Sequence, residues 1–447
     1  MATGIPRKRF KDEAEATAST AGLDVSLQYD GKKPETQILS TPPADVTAVL
    51  AHRASNSNRL FFGENLGILS LLLSDPAVRG QVRLVYIDPP FATKSVFQSR
   101  SQADAYRDLL IGAHYVEFLR ERLVLLRELL AEDGSIYVHL DDKMAPYIKV
   151  VMDEVFGRQN FRNWITRKKC NPKNYTRNAF GNVTDYVLFY SKSERYLWNR
   201  PVESWTAERP AKEYQYVDAA TGRRYMKVPV HAPGVRNGET GKPWRGKCPP
   251  PGKHWQFPPE RLDELDAQGL IYWSPTGNPR RKIFLDDSVG VAVQDLWLEF
   301  RDAHNQNIRI SGYPTEKNPA LLARIIEASS NPGDLVIDCF SGSGTTLAVA
   351  SALGRRWIGV DNSREAIGAT LKRFAFGLEP MGDFVEKKPK VSSIHRQDLP
   401  LFPKAEKDAA SEKRKESTTV IRDFSLYAAS DYVDEAKAVI GSEKREK

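Results

Sequence analysis

The chain has little cysteine and no long apolar run, and each shortage excludes a class of protein. Its 3 cysteines among 447 residues stand too far apart for a disulfide framework or for the paired spacing of a zinc site. No stretch approaches the roughly 18 to 20 apolar residues needed to cross a membrane. The N-terminal residues are too polar for a secretory signal. The sequence therefore predicts a cytoplasmic protein without a membrane segment or a bound metal.

The remaining composition is typical of a folded protein with a large core. Hydrophobic residues make up 41% of the chain and charged residues 27%, which are ordinary values for globular domains. The length predicts about two or three domain-sized units. The net charge of +8 favours an anionic partner, although charge alone does not identify that partner.

Short apolar runs alternate with helical patterns along most of the chain. Runs typical of strands buried on both faces occupy residues 82–87, 135–140, 185–191, 334–337 and 357–360. Strands separated by helices predict an α/β fold with a doubly wound, mostly parallel sheet. This regularity breaks down between residues 200 and 300, where proline, glycine and tryptophan interrupt the pattern.

A glycine-rich turn follows one of these strands. Residues 334–346 read DLVIDCFSGSGTT, so that Gly342 and Gly344 lie between a strand and a helix. Glycine lets the backbone adopt positive φ or approach a ligand closely. Asp361 ends the next strand, where a carboxylate can accept hydrogen bonds from both hydroxyls of a ribose. The pattern indicates a nucleoside pocket; a joint that needs glycine only for packing is the alternative.

A second motif, Asp88-Pro89-Pro90-Phe91, stands where the strand over residues 82–87 ends. Two prolines stiffen the turn and leave carbonyl acceptors without competing N–H groups. A base turned out of a duplex can stack on Phe91 while its amino group donates to Asp88 and to the Pro89 carbonyl. An ordinary turn is the alternative for this tetrapeptide taken alone.

Together these motifs resemble the amino-methyltransferases of DNA in which the catalytic motif precedes the cofactor motif. This β group contains the modification subunits of type III restriction systems and many solitary DNA adenine methyltransferases. The likeness covers roughly residues 58–375 and includes the segments Gly63-Glu64-Asn65, YIDPPF, Gly312-Tyr313-Pro314-Thr315-Glu316-Lys317, DCFSGSGTT and WIGVDNS. The chain departs from the usual Gln-Lys-Pro of the third segment, because Glu316-Lys317-Asn318 stands there.

The resemblance implies a Rossmann-like methyltransferase fold with permuted motif order, and S-adenosylmethionine as the methyl donor. It assigns catalysis to Asp88, Pro89, Pro90 and Phe91. The residues it assigns to cofactor binding are Glu64, Asn65, Thr315, Lys317, Asp338, Phe340, Gly342, Gly344, Thr345, Thr346 and Asp361. The expected organisation is a flexible arm (1–45), a catalytic half (46–199), a target-recognition insert (200–300), a cofactor-binding half (301–380) and a charged linker with a C-terminal element (381–447).

Two basic stretches are candidates for holding double-stranded DNA. Residues 157–184 carry seven Lys or Arg and no acid, and residues 221–259 carry eight against one acid. Such clusters neutralise phosphates; a solvated surface loop is the alternative. The candidate contacts are Arg167, Lys168, Lys169, Lys173, Arg223, Arg224, Arg236, Arg245, Lys247 and Lys253. A homodimer, and a restriction subunit not encoded in this chain, stay open as partners.

The function expected from these motifs is site-specific methylation of the N6 amine of adenine in DNA. A cytosine-N4 enzyme stays open, although those more often carry serine where Asp88 stands. Methylation of RNA or protein stays open, as does a nucleic-acid-binding subunit with an inert methyltransferase fold. Methylation of the cytosine ring carbon is disfavoured, because it needs a nucleophilic cysteine after a proline and the chain has no Pro-Cys pair.

Overall fold

The computed structural model describes residues 25–51, 58–90, 112–171, 178–203, 212–287, 290–300, 317–376 and 421–443. The chain divides into two compact units. The first consists of residues 1–199 and 294–447, and the second of residues 200–293.

A sheet of ten described strands forms the centre of the first unit. In their order across the sheet they are β1 (Val46–Leu50), β18 (Phe424–Ala429), β2 (Asn58–Phe62), β17 (Arg356–Asp361), β16 (Leu335–Asp338), β3 (Val82–Ile87), β4 (Leu130–Leu140), β6 (Thr184–Ser191), β5 (Phe161–Lys168) and β15 (Leu296–Trp297). The strands from β18 to β4 run parallel, whereas β1 and β6 are antiparallel to their neighbours. The expected doubly wound, mostly parallel sheet is therefore confirmed.

Helices cover this sheet in two groups. Their bounds are α1 (Glu35–Leu39), α2 (Asn65–Leu73), α3 (Ala113–Leu129), α4 (Ala145–Phe156), α6 (Pro319–Ser329), α7 (Thr345–Ala352), α8 (Arg364–Phe376) and α9 (Val433–Glu443), with α5 (Pro259–Ala267) in the second unit. Helices α1, α2 and α4 each contact α3, and α6 to α9 form a second chain of contacts. None of the helices in the described ranges is long and apolar enough to span a bilayer.

Burial on both faces explains why the central strands have nearly continuous apolar sequences. Ile136 and Val138 of β4 and Ile337 of β16 belong to the core shared with α1 to α4. Side chains alternate along a strand, so Val336, which is also fully buried, faces the other helical layer. A strand buried on both faces has no polar face to present.

Strands β1 and β18, from opposite ends of the described chain, extend the sheet at one edge. Strand β18 lies between β1 and β2 and pairs with both. Residues 25–45, within the range expected to be a flexible arm, include helix α1 and contact helix α3. The Tyr29 hydroxyl donates to Glu117 at 2.6 Å, and Arg127 pairs with Glu35 of α1 at 2.5 Å. These contacts attach the segment to α3, because their partners on that helix are the buried Glu117 and the half-buried Arg127.

The second unit is small and rich in short strands. Its strands are β7 (Val202–Glu203), β8 (Tyr216–Val217), β9 (Arg224–Pro229), β10 (His231–Pro233), β11 (Lys253–Trp255), β12 (Ile271–Trp273), β13 (Pro279–Phe284) and β14 (Val291–Ala292). They form one four-stranded sheet, ordered β12-β13-β9-β8, and two strand pairs, β10 with β11 and β14 with β7. Trp244 and Trp255 pack with Leu262 of α5 and Ile271 of β12 in a core of its own.

Candidate active site

Three carboxylates stand at one edge of the sheet in the first unit. Asp88 directly follows β3, Asp338 ends β16 and Asp361 ends β17. Strand β16 pairs in parallel with both β3 and β17. The carboxyl ends of parallel strands meet at the same edge, which is where open α/β sheets bind their ligands. The two sequence motifs, about 250 residues apart in the chain, therefore belong to one site.

The glycine-rich turn connects β16 to α7. Gly342 has a φ of 52° and Gly344 a φ of 72°, a region that residues with a Cβ seldom adopt. A Cβ on Gly344 would also lie 2.8 Å from the side chain of Thr370. Both glycines are thus required by backbone conformation, and Gly344 by space as well.

Helix α8 supports this turn through Thr370 and Arg373, two residues that sequence reasoning missed. The Thr370 hydroxyl donates to the Gly342 carbonyl at 2.9 Å, and Arg373, which is buried, donates to the Ser343 carbonyl at 2.7 Å. A helical position gives no signal of such a role, because Thr and Arg are ordinary residues on a helix surface. The turn is preorganised by hydrogen bonds to its own carbonyls.

Asp361 ties the turn to the neighbouring strand. Its carboxylate accepts from the Gly342 amide at 2.8 Å and from the Ser363 amide at 2.9 Å. Burial raises the pKa of Asp361, while these backbone hydrogen bonds act in the opposite direction. Part of the residue stays exposed, and each carboxylate oxygen has a second lone pair that can accept a hydrogen bond from a ligand.

Asp338 is the most deeply buried of the three acids. Burial raises its pKa to about 7, and the charges of Asp88 and Asp361 add to that rise. Hydrogen bonds from the Thr346 hydroxyl and the Phe340 amide act against it. Asp338 is consequently a carboxyl group that changes its protonation near neutral pH.

Asp88 forms an ion pair that the sequence did not predict. Its Oδ2 lies 2.5 Å from Nζ of Lys317, and both side chains are largely buried. Its Oδ1 is buried without a hydrogen-bond partner among the described residues. One oxygen of the carboxylate is therefore paired and the other is an available acceptor.

Glu64 and Asn65 lie beside the turn and are linked by Arg122 of α3. The Asn65 amide donates to the Cys339 carbonyl at 2.8 Å, and its oxygen accepts from Arg122 at 2.5 Å. Arg122 also pairs with Glu64, which caps the N-terminus of α2. Arg122 is a further residue that sequence reasoning missed. The Glu64 side chain is half exposed and its remaining lone pairs can accept from a ligand.

An aromatic wall adjoins these residues. Phe340 lies 6.0 Å from Phe118 between ring centroids, and the Arg122 guanidinium covers the Phe118 ring at 3.5 Å. Three other residues expected in the site or on the DNA surface, Phe91, Thr315 and Lys173, lie outside the described residues.

The expected role of Arg167 in DNA binding requires correction. Arg167 is completely buried; it donates to Asp185 at 3.0 Å and to the Phe300 carbonyl at 2.6 Å. Asp185 also lies 3.1 Å from Nε2 of His139, whose Nδ1 contacts the Tyr86 hydroxyl at 2.9 Å. A guanidinium enclosed in this network cannot reach a phosphate. Composition marked the residue as basic but could not show that it points inward.

Burial opposes ionisation of Asp185, yet the cationic and hydrogen-bonding groups around it outweigh that effect and lower its pKa. The groups responsible are His139, Arg167 and Lys317, in that order of influence. Asp185 is thus a fixed negative charge beneath the acidic edge of the sheet.

The remaining basic candidates differ in their ion pairs and in their exposure. Arg223 pairs with Asp286 and Asp287, and Arg245 pairs with Asp263 and Asp266. Lys247 is half-buried and approaches a backbone carbonyl. Among the basic candidates of the second unit, Arg224, Arg236 and Lys253 are exposed, and the described residues provide no ion pair for them. Among those of the first unit, Lys168 and Lys169 are half-buried.

The site has the chemistry required to hold S-adenosylmethionine. That molecule carries positive charge on its sulfonium and ammonium groups, and Asp88, Asp338 and Asp361 make this edge acidic. The Ser341 hydroxyl of the turn is buried without a hydrogen-bond partner in the part of the chain that the structure describes. An unpaired buried hydroxyl is costly, and a ligand that bonds to it removes that cost.

Comparison with known proteins identifies related methyltransferases. The DNA methylase family model matches residues 82–372. The type II methyltransferase M.EcaI of Enterobacter cloacae is 47% identical over 417 residues, which cover 90% of each chain. The Mod subunit of the type III enzyme StyLTI of Salmonella typhimurium is 26% identical over 377 residues, covering 74% of this chain and 55% of that subunit.

Two solved structures are similar to part of the chain. The complex of M1.HpyAVI with S-adenosylmethionine has 16% identity and a TM-score of 0.38, covering 70% of this chain and 98% of that one. The cytosine-N4-specific PvuII DNA methyltransferase has 17% identity and a TM-score of 0.38, covering 73% and 90%.

The family match and the long alignment with M.EcaI confirm the expected resemblance and its cofactor, because this family uses S-adenosylmethionine. They also include the strand ends that carry Asp88, Asp338 and Asp361. The chain is therefore a member of the DNA methylase family, the N6 and N4 amino-methyltransferases of restriction-modification systems.

Proposed function

We propose that this DNA methyltransferase transfers a methyl group to the N6 amine of adenine at a specific DNA sequence. The observation that carries the proposal is the carboxylate of Asp88 at the acidic edge, with Oδ1 buried and unpaired among the described residues. A base amine is a poor nucleophile, because its lone pair is delocalised into the ring. A charged acceptor for one amine hydrogen helps to localise that lone pair.

In the proposed reaction the chain's own residues orient the base. The target amine donates one hydrogen to Asp88 and one to the Pro89 carbonyl, which fixes the direction of its lone pair. S-adenosylmethionine supplies the electrophilic methyl group when bound. Asp361 and the turn at Gly342 hold its ribose and nucleoside end, and Asp338 faces its cationic end. Positioning then accounts for most of the rate enhancement.

Adenine is favoured over cytosine by the acid at position 88. A carboxylate forms hydrogen bonds about twice as strong as those of a neutral hydroxyl. Methylation of the cytosine ring carbon needs a thiolate, and burial raises the pKa of Cys339, whose thiol is fully enclosed. A buried thiol in such surroundings is inert as a nucleophile.

The second unit is the proposed target-recognition region. Arg224, Arg236 and Lys253 are exposed on it, which suits contact with phosphates. Double-stranded DNA is the proposed substrate. A restriction subunit encoded elsewhere is a partner suggested by the name of the StyLTI Mod relative; the homodimer and the cytoplasmic location expected from the sequence stay predictions.

Sequencing of methylated bases in DNA from cells that express the protein tests the proposal. We expect one sequence motif to carry modified adenine when the wild-type chain is expressed. Expression of Asp88→Ala at the same level is the control and should leave that motif unmodified. Modified RNA or protein without modified DNA, or modification scattered without a motif, would contradict the proposal.

A further inference from the structure

The contact between Lys317 and Asp88 involves one oxygen of the carboxylate, and this asymmetry bears on catalysis. Nζ of Lys317 lies 2.5 Å from Oδ2 of Asp88, and the exposed fractions of the two side chains are 11% and 18%. The other oxygen, Oδ1, is buried and has no hydrogen-bond partner among the described residues. The lysine therefore distinguishes the two oxygens of this carboxylate.

The backbone around Lys317 is held in place by the start of α6. The next residue, Asn318, caps this helix, because its side-chain oxygen accepts from the Ala320 amide at 2.9 Å. Pro319 occupies the first helical position, where its fixed φ suits the helix. Helix α6 contacts β3, the strand that leads into Asp88. Both partners of the ion pair thus project from anchored segments.

The charges around the Lys317–Asp88 ion pair explain the effect of the lysine on Asp88. Asp338 and Asp361 face the same edge, and the Asp88 charge acts on Asp338 and on the buried hydroxyls of Tyr86 and Tyr115. Lys317 also acts on Asp185. A single buried carboxylate among other acids is costly to keep charged. A lysine in direct contact offsets that cost at Asp88.

We propose that Lys317 is a positioning residue that acts through Asp88, holding Oδ2 so that Oδ1 accepts the target amine. This inference rests on the proposed function. The resemblance to DNA amino-methyltransferases assigned Lys317 to cofactor binding, whereas the observed contact is with the catalytic acid. The two roles make different predictions for cofactor affinity.

The proposed transfer moves one methyl group to the amine and one proton away from it. The amine donates a hydrogen bond to Oδ1, and the nitrogen lone pair forms the new bond to the methyl carbon. The electron pair of the carbon–sulfur bond stays on sulfur, which becomes a neutral thioether. The extra proton on nitrogen passes to Oδ1 and from there to water when the product leaves. Lys317 keeps Oδ2 in place throughout the transfer.

A double-mutant cycle tests this role. The variants are Lys317→Gln, Asp88→Asn and the pair of both, with Lys317→Arg as the conservative replacement. Lys143→Gln is the matched control, since Lys143 is an exposed lysine that follows β4. Three quantities are measured: the single-turnover rate of methyl transfer to DNA, the KM for DNA, and the Kd for S-adenosylmethionine by calorimetry.

We expect Lys317→Gln to lower the single-turnover rate by on the order of 10²-fold, the lower range for loss of a positioned proton acceptor. Its Kd for the cofactor should stay within about threefold of wild type, because the contact is with Asp88. In the Asp88→Asn background the same change should lower the rate by less than about threefold. Lys317→Arg should restore most of the rate, and Lys143→Gln should match wild type.

Equal rate losses in both backgrounds, or a cofactor Kd that rises in step with the rate loss, would overturn the inference. Should Lys317→Gln not fold, Lys317→Met keeps the length of the side chain without its charge and takes its place. A wild-type protein that methylates no DNA would contradict the proposed function itself. Normal methylation by both the wild type and Lys317→Gln would contradict only the role of Lys317.

Discussion

The amide of Gly342 donates to Oδ2 of Asp361 at 2.8 Å. This hydrogen bond joins the glycine-rich turn after β16 to the acid that ends β17, two features that the sequence presents about twenty residues apart. The turn and the acid are therefore parts of one hydrogen-bonded site. A change at either residue is expected to affect the cofactor site as a whole.

Gly344→Ala is predicted to destabilise the protein and to weaken cofactor binding. The φ of 72° costs a residue with a Cβ about 1–2 kcal/mol, and the new Cβ would lie 2.8 Å from Thr370. Urea unfolding measures the stability and calorimetry the affinity.

Gly333→Ala is the matched control for that prediction. Gly333 has a φ of 86°, and a Cβ there meets nothing within 4 Å. The control should therefore lose stability through backbone strain alone and keep cofactor affinity. Equal effects of the two alanines on affinity would show that the space beside Thr370 does not matter.

Asp361→Asn and Asp88→Ala are predicted to have opposite consequences. Asp361→Asn should raise the cofactor Kd by about 10- to 100-fold, the usual effect of losing hydrogen bonds to a charged group. Asp88→Ala should keep the Kd within about threefold and lower methyl transfer by on the order of 10²- to 10⁴-fold. Calorimetry beside a transfer assay measures both. A strong loss of cofactor affinity in Asp88→Ala would remove the separation of roles.

Much of this site could be predicted from sequence, because its motifs depend on local rules. Glycine at 342 and 344 signals a turn with positive φ, and an apolar run that ends in Asp88 signals the end of a buried strand. The support from Thr370, Arg373 and Arg122 could not be predicted. Those residues act through side chains from distant segments, and their types are common on any helix.

The sequence was less informative about contacts between segments that lie far apart in the chain. Strand β18 lies beside β2, although some 360 residues separate them in sequence, and no local pattern specifies such pairing. Arg167 was assigned to DNA because it belongs to a basic run, yet its neighbours on adjacent strands enclose it. The type of a residue gives the charge of its side chain, whereas the direction in which the side chain points depends on the fold.

The stability of the protein is predicted to depend on pH through Asp338. Its pKa is raised from 3.8 to about 7 by burial, so the folded state binds more protons than the unfolded state between those values. The stabilising contribution is complete below pH 3.8 and disappears as the pH rises to about 7. The free energy of unfolding should therefore fall across this interval.

Asp338→Asn is the control for this pH dependence, since asparagine stays uncharged. Urea unfolding at about pH 5 and about pH 7, which span most of this interval, should give a smaller fall in the free energy of unfolding for the variant than for the wild type. The other titrating groups are common to both proteins. An identical difference in both would show that Asp338 does not titrate in this range.

The exposed basic residues of the second unit are predicted to set the salt dependence of DNA affinity. A variant with Arg224→Ala, Arg236→Ala and Lys253→Ala should lower the slope of log affinity against log salt by about 0.9 for each phosphate that is no longer neutralised. Cofactor affinity should not change, because the three residues lie outside the first unit. Fluorescence anisotropy over a series of salt concentrations measures the slope.

Two controls accompany that measurement. Arg223→Ala with Arg245→Ala should change the slope less, since carboxylates already pair with both residues. Arg167→Ala should lower the free energy of unfolding by about 3–5 kcal/mol, because it removes one partner of the buried Asp185 carboxylate, and should keep the slope. An unchanged slope in the triple variant would place the phosphate-binding residues elsewhere.

Mass spectrometry of nucleosides from DNA methylated by the purified protein is the most direct test of the central claim. N6-methyladenine is the expected main product with the wild-type chain, and none is expected with Asp88→Ala. N4-methylcytosine as the main product would contradict the assignment of the base, and 5-methylcytosine would contradict the direct transfer to an amine positioned by Asp88.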